Sequence, residues 1–255
     1  MSFDVAAESY GRFMGRFSEP LAVEFARYAE VATGRRALDV GCGPGALTAQ
    51  LVQQLGGGAV SAIDPSEPFV AAARARFPGL DVRVGSAEDL PYAAGSFDRS
   101  LAQLVVHFMK DPVAGLREMA RVTVPGGLVA ASVWDHGSDR GPLSVFWQAV
   151  RDTDHDAHDE SGLAGAREGH LGELFRSAGL HDVDEAVLTV TVPFESFAQW
   201  WEPYTLGVGP AGAYVARLDE PAREALAGRC RELLPEAPFE LSASAWCARA
   251  YVTPE

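Results

Sequence analysis

Residues 37–45 read ALDVGCGPG, a short apolar run that leads into three glycines at alternate positions. The run is typical of a buried β-strand, and residues 46–55 behind it have the apolar spacing of a helix. Glycines between a strand and a helix let the backbone approach a ligand without a Cβ in the way. The helix that follows presents unpaired N–H groups to a polar or anionic ligand. The stretch therefore predicts a ligand-binding turn.

Strand-like apolar runs alternate with segments of helical period from about residue 36 to residue 133. This alternation is typical of a parallel sheet covered by helices on both faces. We expect an α/β fold with a doubly wound, mostly parallel, seven-stranded Rossmann-like sheet. The last strand, from about residue 239, is predicted to be antiparallel.

The pattern of apolar and aromatic residues divides the rest of the chain into further units. Residues 195–235 are helical in pattern and rich in aromatic residues, and structureless connections of that length are uncommon. We therefore interpret this part as a helical lid inserted between the last two strands. The predicted units are a helical cap (1–34), a ligand-binding domain (35–192 and 239–255) and the lid insertion (193–238).

Composition restricts the partners and the compartment. The 255 residues carry a formal charge of −14, and no basic stripe suited to nucleic acid is apparent. The three cysteines form no CxxC pair, which fits a reducing compartment. The sequence shows neither a secretory signal pattern nor an apolar run long enough to span a bilayer. We expect a cytoplasmic protein, a monomer or homodimer, with no nucleic-acid or membrane partner.

An acidic stretch at residues 152–160 begins like a calcium-binding loop. Ala157 stands where such a loop requires glycine, and Leu163 where it requires a bidentate glutamate. We interpret the stretch as a solvated acidic loop and expect no metal site.

Asp64 ends the second predicted strand, 19 residues after Gly45. A carboxylate at this place can accept hydrogen bonds from both hydroxyls of a ribose. The ligand could carry adenosine alone or a dinucleotide, because residues 41–46 also satisfy the loose pattern G-x-G-x-x-G/A. The alternative is an aspartate that only caps the turn before Pro65.

Four ordered segments carry a family resemblance: ALDVGCGPG (37–45), AID (62–64), GSAEDLPYAAGSFD (85–98) and LREMARVTVPGG (116–127). Together they resemble the class I S-adenosylmethionine (SAM)-dependent methyltransferases of the type found in ubiquinone and menaquinone biosynthesis. The resemblance extends over roughly residues 35–135. It implies SAM as the cofactor, and methyl transfer to a small-molecule acceptor.

The resemblance also implies the cofactor contacts by position. Family members usually have aspartate where this chain has Ser86, so serine, or Glu88 nearby, would accept from the adenine amino group. The implied contacts are Asp39, Gly41, Gly43 and Gly45 for the methionine end, Asp64 with Pro65 for the ribose, Ser86, Ala87 and Glu88 for the adenine, and Gln103 for the methionyl group and sulfonium.

The segment before the first strand resembles the cap that precedes this domain in many such enzymes. Tyr10 could close over the cofactor, and Arg16 could pair with its carboxylate through a charge-assisted hydrogen bond. The alternative is an amphipathic helix that packs on the domain and leaves its arginines in solvent.

His107 is the candidate general base, because it follows the fourth strand near the sheet edge where ligands bind. A packed or surface histidine is the alternative. Aromatic residues suit planar or apolar acceptors, although a lid could use the same residues for its own core. The predicted acceptor contacts are Trp134, His136, Trp200, Trp201 and Tyr204.

Two other functions compete with methyl transfer. An NAD(P)-dependent oxidoreductase is disfavoured because the chain lacks a Tyr-x-x-x-Lys motif and contains a single lysine, Lys110. A nonenzymatic SAM-binding module is disfavoured only by the aromatic lid, which suggests an acceptor site.

Overall fold

A computed structural model describes residues 11–154 and 159–253. Its seven strands form one sheet in the order β3-β2-β1-β4-β5-β7-β6. The strands are β1 (Ala37–Val40), β2 (Val60–Asp64), β3 (Asp81–Val84), β4 (Phe97–Gln103), β5 (Thr123–Trp134), β6 (Asp184–Phe194) and β7 (Phe239–Tyr251).

Nine α-helices are present in the described residues, together with a π-helical turn at Gly11–Gly15 and short 3-10 turns at Gly57–Ala59, Val106–Phe108 and Glu202–Leu206. The helices are α1 (Arg16–Tyr28), α2 (Ala46–Leu55), α3 (Glu67–Arg76), α4 (Pro112–Val122), α5 (Ser144–Thr153), α6 (His170–Ser177), α7 (Phe197–Trp201), α8 (Gly209–Arg217) and α9 (Glu220–Leu233). None of the helices in residues 11–154 and 159–253 combines the length and the apolar character needed to cross a bilayer.

The sheet reverses its direction of winding next to β1. Strands β1 to β5 are parallel, with β2 on one side of β1 and β4 on the other, while β7 runs antiparallel between β5 and β6. The predicted α/β fold with an antiparallel last strand is confirmed. In sheets of this kind, ligands bind at the carboxyl ends of the strands where the order reverses. The topology thus places a crevice beside β1 and β4.

Both faces of the central strands are buried, as a doubly covered sheet requires. Along β4, Leu101 belongs to the core on one face and Ala102 to the core on the other. The first face packs against α1 and the helical segment between β6 and β7, and the second against α4 and α6. Two apolar layers therefore hold the sheet rigidly and fix the positions of its strand ends.

Strand β4 is shorter than the sequence predicts. The apolar run of the sequence continues to Val106 and predicts a longer strand, but the strand ends at Gln103 because Leu104 adopts a left-handed backbone with φ of 61°. The chain then enters the 3-10 turn that contains His107. The turn places His107 off the strand, at the edge of the sheet.

Strand β5 begins at Thr123, before the sequence Pro125-Gly126-Gly127 that is typical of a turn. Phe97 pairs with Thr123, and the Gly126 N–H donates to the Val252 carbonyl at 2.7 Å.

The chain between β6 and β7 forms α7, a 3-10 turn, α8 and α9. Its aromatic residues pack inward against α5. Tyr204 stacks on Phe146 with ring centroids 4.7 Å apart, and the ring of Trp200 lies 4.8 Å from Tyr204. Arg229 of α9 is paired with Asp152 at the end of α5 at 2.7 Å. This helical segment is therefore anchored to the domain by a packed aromatic cluster.

Candidate cofactor and acceptor sites

A crevice of about 580 Å³ opens at the carboxyl ends of β1, β2 and β4. This volume lies within the usual range for small-molecule sites. The predicted residues that line it are Asp39, Gly41, Gly43, Asp64, Pro65 and Gln103. The structure therefore brings together side chains that are up to 64 positions apart in the sequence.

The three glycines of the first turn all have left-handed backbones, with φ of 70° at Gly41, 53° at Gly43 and 95° at Gly45. A Cβ at Gly41 would lie 2.2 Å from a methyl group of Val105, and one at Gly45 would lie 2.5 Å from the Phe77 ring. A Cβ at Gly43 would meet no protein atom within 4 Å. Gly41 and Gly45 thus allow the turn to pack, whereas Gly43 faces open space in the crevice.

Alanine substitutions are expected to separate these two roles. Gly41→Ala should lower the free energy of unfolding by about 3 kcal/mol, because backbone strain and overpacking add. Gly43→Ala should lower it by only about 1 kcal/mol, the strain of the left-handed backbone alone. Urea unfolding of the two variants measures both values. Equal losses would show that the contact with Val105 does not constrain the turn.

Asp39 lies at the floor of the crevice and is 1% exposed. Its Oδ2 accepts a hydrogen bond from the Thr48 hydroxyl at 2.6 Å. Burial raises the pKa of Asp39 to about 7. A buried carboxylate with so few partners is stabilised by a cationic ligand group.

Asp64 is tied to the turns on both sides of it. The Gly43 N–H donates to its Oδ2 at 2.8 Å, and the Ser66 N–H donates to its Oδ1 at 2.8 Å. Burial raises the pKa of this carboxyl as well. Each carboxylate oxygen has two lone pairs, so both can also accept from a ligand. Turn capping and ligand binding are therefore compatible roles for Asp64.

Gln103 lines the crevice from the end of β4 and is buried. Its Nε2 donates to the Ser18 carbonyl at 2.9 Å, which fixes the orientation of the amide. Its buried Oε1 has no hydrogen-bond partner within the described part of the chain. A buried acceptor without a partner is costly, and a ligand that donates a hydrogen bond there would remove the cost.

Ser86, Ala87 and Glu88 follow β3, at the edge of the sheet. Glu88 accepts a hydrogen bond from the Ser86 hydroxyl, and its Oε1 accepts from the Lys110 N–H at 2.8 Å. Lys110 itself lines the crevice. Glu88 is thus linked to the crevice through Lys110, and none of the three predicted adenine contacts forms part of the crevice lining in this structure.

The two predicted contacts from the cap have different outcomes. Tyr10 lies outside the described residues. The Arg16 guanidinium lies over the Phe194 ring at 5.4 Å, beside a small pocket next to the lid, and it does not line the crevice. The cap reaches the crevice through other residues, among them Ser18 and Glu19.

A second, smaller chamber adjoins the crevice, because Leu104 and Phe108 line both cavities. Its other walls come from the cap, from the turns after β4 and β5, from the segment after α5 and from the start of α8. These lining residues are Phe13, Met14, His107, Trp134, His136, Leu143, Glu160, Val208, Gly209 and Pro210. The structure thus gathers His107, Trp134 and His136, three residues predicted for catalysis or acceptor binding.

The titratable groups of this chamber are buried. The His107 and His136 rings lie 6.4 Å apart, and burial lowers their pKa values to about 3 and about 4. Both imidazoles are therefore neutral at physiological pH. Glu160 is 6% exposed, and burial raises its pKa to about 7. The expectation of a solvated acidic loop is wrong for Glu160, since the carboxylate accepts a hydrogen bond from the Trp147 indole at 3.1 Å.

The three aromatic residues predicted from the lid lie elsewhere. Trp200 and Tyr204 are buried within the aromatic cluster on α5, and Trp201 stacks on Tyr204 at 5.9 Å. In this structure they do not line the chamber that contains His107. The helical segment between β6 and β7 reaches the chamber through Val208, Gly209 and Pro210, which no motif in the sequence marked.

Comparison with known proteins agrees with this geometry. Residues 38–131, which contain β1, the glycine turn, Asp64 and Gln103, match the model of a methyltransferase domain family. This part of the chain is therefore similar to a methyltransferase domain. The match ends at β5, so the cap, the lid and the segment containing Glu160 lie outside it.

A relative and two solved structures extend the comparison. The chain is 34% identical over 149 residues to a malonyl-[acyl-carrier protein] O-methyltransferase of Erwinia billingiae, an alignment covering 58% of each protein. In a Haloferax volcanii complex of the Trm112 methyltransferase activator with a methyltransferase, the matching chain has a TM-score of 0.60 at 21% identity, covering 98% of this chain and 94% of that one. Haemonchus contortus phosphoethanolamine N-methyltransferase 2 in complex with S-adenosyl-L-methionine gives 0.57 at 19% identity, covering 98% and 57%.

These matches show that residues 38–131 are similar to a methyltransferase domain and that the chain has the Rossmann-like fold of methyltransferases. The chain spans a little over half the length of the curated relatives it matches.

Proposed function

We propose that the protein transfers a methyl group from SAM to a small-molecule acceptor. The observation that carries the proposal is the crevice at the sheet reversal, where Asp39, Asp64 and Gln103 surround an open glycine turn. The unpartnered Gln103 Oε1 and the open space above Gly43 fit a ligand with a hydrogen-bond donor and a close approach to the backbone. SAM, when bound, supplies a methyl group already activated by the positive charge on sulfur.

The residues of the crevice have distinct tasks in this proposal. Asp39 and the Gln103 Oε1 hold the amino group of the methionine end, and Gly43 lets the backbone approach it. Asp64 accepts from the ribose hydroxyls through the lone pairs that the turn leaves open. Ser86, Ala87 and Glu88 contact the adenine. Methyl transfer then depends mainly on holding the acceptor close and in line, since the donor needs little further activation.

The chamber beside the crevice is the proposed acceptor site. Leu104 and Phe108 form the shared wall, so an acceptor in the chamber borders the cofactor crevice. His107 is the proposed general base, while Trp134 and His136 contact the acceptor. The alternative for the aromatic residues of the lid is that they form its core. The ring contacts among Trp200, Trp201 and Tyr204 favour that alternative over contact with the acceptor.

The finer assignments from the sequence belong to the same proposal. The ubiquinone and menaquinone type, which the sequence resembles, is part of the proposal, whereas the Erwinia relative is named for a malonyl carrier substrate. The division into cap (1–34), ligand-binding domain (35–192 with 239–255) and lid (193–238), the cytoplasmic location, and the monomeric or homodimeric state are also proposed.

Calorimetry and a labelled-methyl assay test the function. The protein is expected to bind SAM and S-adenosylhomocysteine (SAH) with micromolar dissociation constants and to give no heat with NADH. With methyl-labelled SAM and a metabolite extract, label is expected to appear in small molecules. Binding of NADH in place of SAM would favour the oxidoreductase alternative, and binding of SAM without any transfer would favour a nonenzymatic module.

A further inference from the structure

The chamber beside the crevice contains polar groups that have not found partners. Trp134 and His107 both line it, and both are buried. The Trp134 Nε1 and the His107 Nδ1 have no hydrogen-bond partner among the described residues. Unsatisfied buried polar atoms are rare in native proteins, and two in one chamber suggest that a ligand supplies their partners.

The hydrogen-bonding capacities of these groups restrict the ligand. An indole N–H can only donate, whereas a neutral imidazole also presents an acceptor. A hydroxyl can accept from the Trp134 Nε1, and it can donate to the His107 Nδ1 when that nitrogen carries no proton. A protonated amine only donates, so it cannot accept from the indole. A carboxylate could accept from both atoms if the His107 Nδ1 carries the proton, so it is the charge of the chamber that disfavours an anion.

The charges of the chamber restrict the ligand further. Its described lining contains two histidines and one carboxyl group, Glu160, but no arginine or lysine side chain. Burying an anion without a cation is costly, and Glu160 adds repulsion. The remaining lining is apolar, with Phe13, Met14 and Leu143 among it. The chamber therefore suits an uncharged molecule with a polar reacting end.

Its size is consistent with the reacting end of an acceptor and not with a whole large molecule. The chamber holds about 40 Å³, little more than a few atoms, and shares the wall formed by Leu104 and Phe108 with the crevice. An acceptor group at this wall is therefore close to the proposed position of the cofactor.

We infer that the methyl acceptor is an uncharged hydroxyl compound, such as a phenol or an enol, whose hydroxyl is held between Trp134 and His107. The inference rests on the proposed function. In the reaction the hydroxyl oxygen forms the new C–O bond to the methyl carbon. The C–S bond breaks and its electron pair moves to sulfur. The hydroxyl proton passes to the unpartnered Nδ1 of His107.

The test compares four small probes of similar shape on the SAH-loaded protein. Phenol, toluene, benzoate and benzylamine are measured by ligand-observed NMR, which requires no turnover. We expect phenol to bind at least fivefold more tightly than each of the others. Trp134→Phe and His107→Phe keep an aromatic ring but remove the hydrogen-bonding atoms. Each should reduce the preference for phenol over toluene to less than twofold.

Two glutamate variants test whether the charge of Glu160 itself determines the preference among the probes. Glu160→Gln is expected to raise benzoate affinity relative to phenol, because it removes the carboxyl that repels anions. Glu168→Gln, an exposed position on the same segment, should leave all four affinities unchanged. SAH binding by each variant shows that the crevice is intact.

The outcomes separate this inference from the proposed function. If SAH binds but benzoate or benzylamine binds best, if toluene equals phenol, or if no probe binds, the inference is overturned and the proposed function stands. If SAH itself does not bind to the folded wild-type protein, the proposed function fails, and the inference fails with it.

Discussion

Asp64→Asn is expected to weaken SAM binding by about 100-fold. The substitution removes the negative charge and turns one of the two acceptor oxygens into a donor. Hydrogen bonds to a charged group contribute about 1.5–3 kcal/mol each, and the proposed ribose contacts number two. A loss of about 3 kcal/mol corresponds to roughly two orders of magnitude in the dissociation constant. Calorimetric titration with SAM measures the effect.

The control for this variant must account for the second role of Asp64. Its two oxygens also accept from the backbone N–H groups of Gly43 and Ser66. In the asparagine variant, the side-chain NH₂ group would lie against one of these backbone N–H groups, and two donors would then be opposed. Urea unfolding therefore accompanies the titration. Asp219→Asn removes one charge at the start of α9 and retains a capping oxygen, so it should leave SAM binding unchanged. A variant that stays folded and binds SAM like the wild type would contradict the role of Asp64.

The cofactor crevice could be predicted from sequence because its signals are local. Each left-handed turn residue is a glycine, and Asp64 directly follows an apolar run. The parallel topology then brings these strand ends to one edge, so neighbours in space follow from the alternation of strands and helices. No long-range contact had to be known in advance.

The acceptor chamber could not be predicted in the same way, because its walls come from segments that meet only in the folded chain. Glu160 looks like one acid in a hydrophilic loop, and only its packing on Trp147 shows that it is buried. Leu104 has an ordinary apolar side chain, and nothing in the sequence marks the left-handed backbone that ends β4. Aromatic residues at 200, 201 and 204 signal a cluster, but not whether that cluster faces a ligand or α5.

Asp39→Asn is expected to make the ligand-free protein more stable and to weaken SAM binding by about 100-fold or more. The pKa of Asp39 is raised from 3.8 to about 7, so the ionised form is strongly disfavoured by burial. One pKa unit corresponds to about 1.4 kcal/mol, and the penalty above pH 7 is on the order of 4 kcal/mol. The proposed ammonium group of the cofactor offsets that penalty, because it is attracted to the buried carboxylate. The ionised Asp39 therefore contributes to SAM binding. Stability is given up here for function.

The stability difference between the wild type and Asp39→Asn is expected to depend on pH. Between about pH 4 and pH 7 native Asp39 keeps a proton that the unfolded chain has released, so its contribution to stability falls as pH rises through this window. Urea unfolding at pH 5.5 and pH 8 should show the wild type losing about 2 kcal/mol more than Asp39→Asn. The other titrating groups are common to both proteins and cancel in the difference. An equal loss of stability in the two proteins would mean that Asp39 ionises near its usual pKa. The proposal that its burial favours binding of a cationic ligand group would then be contradicted.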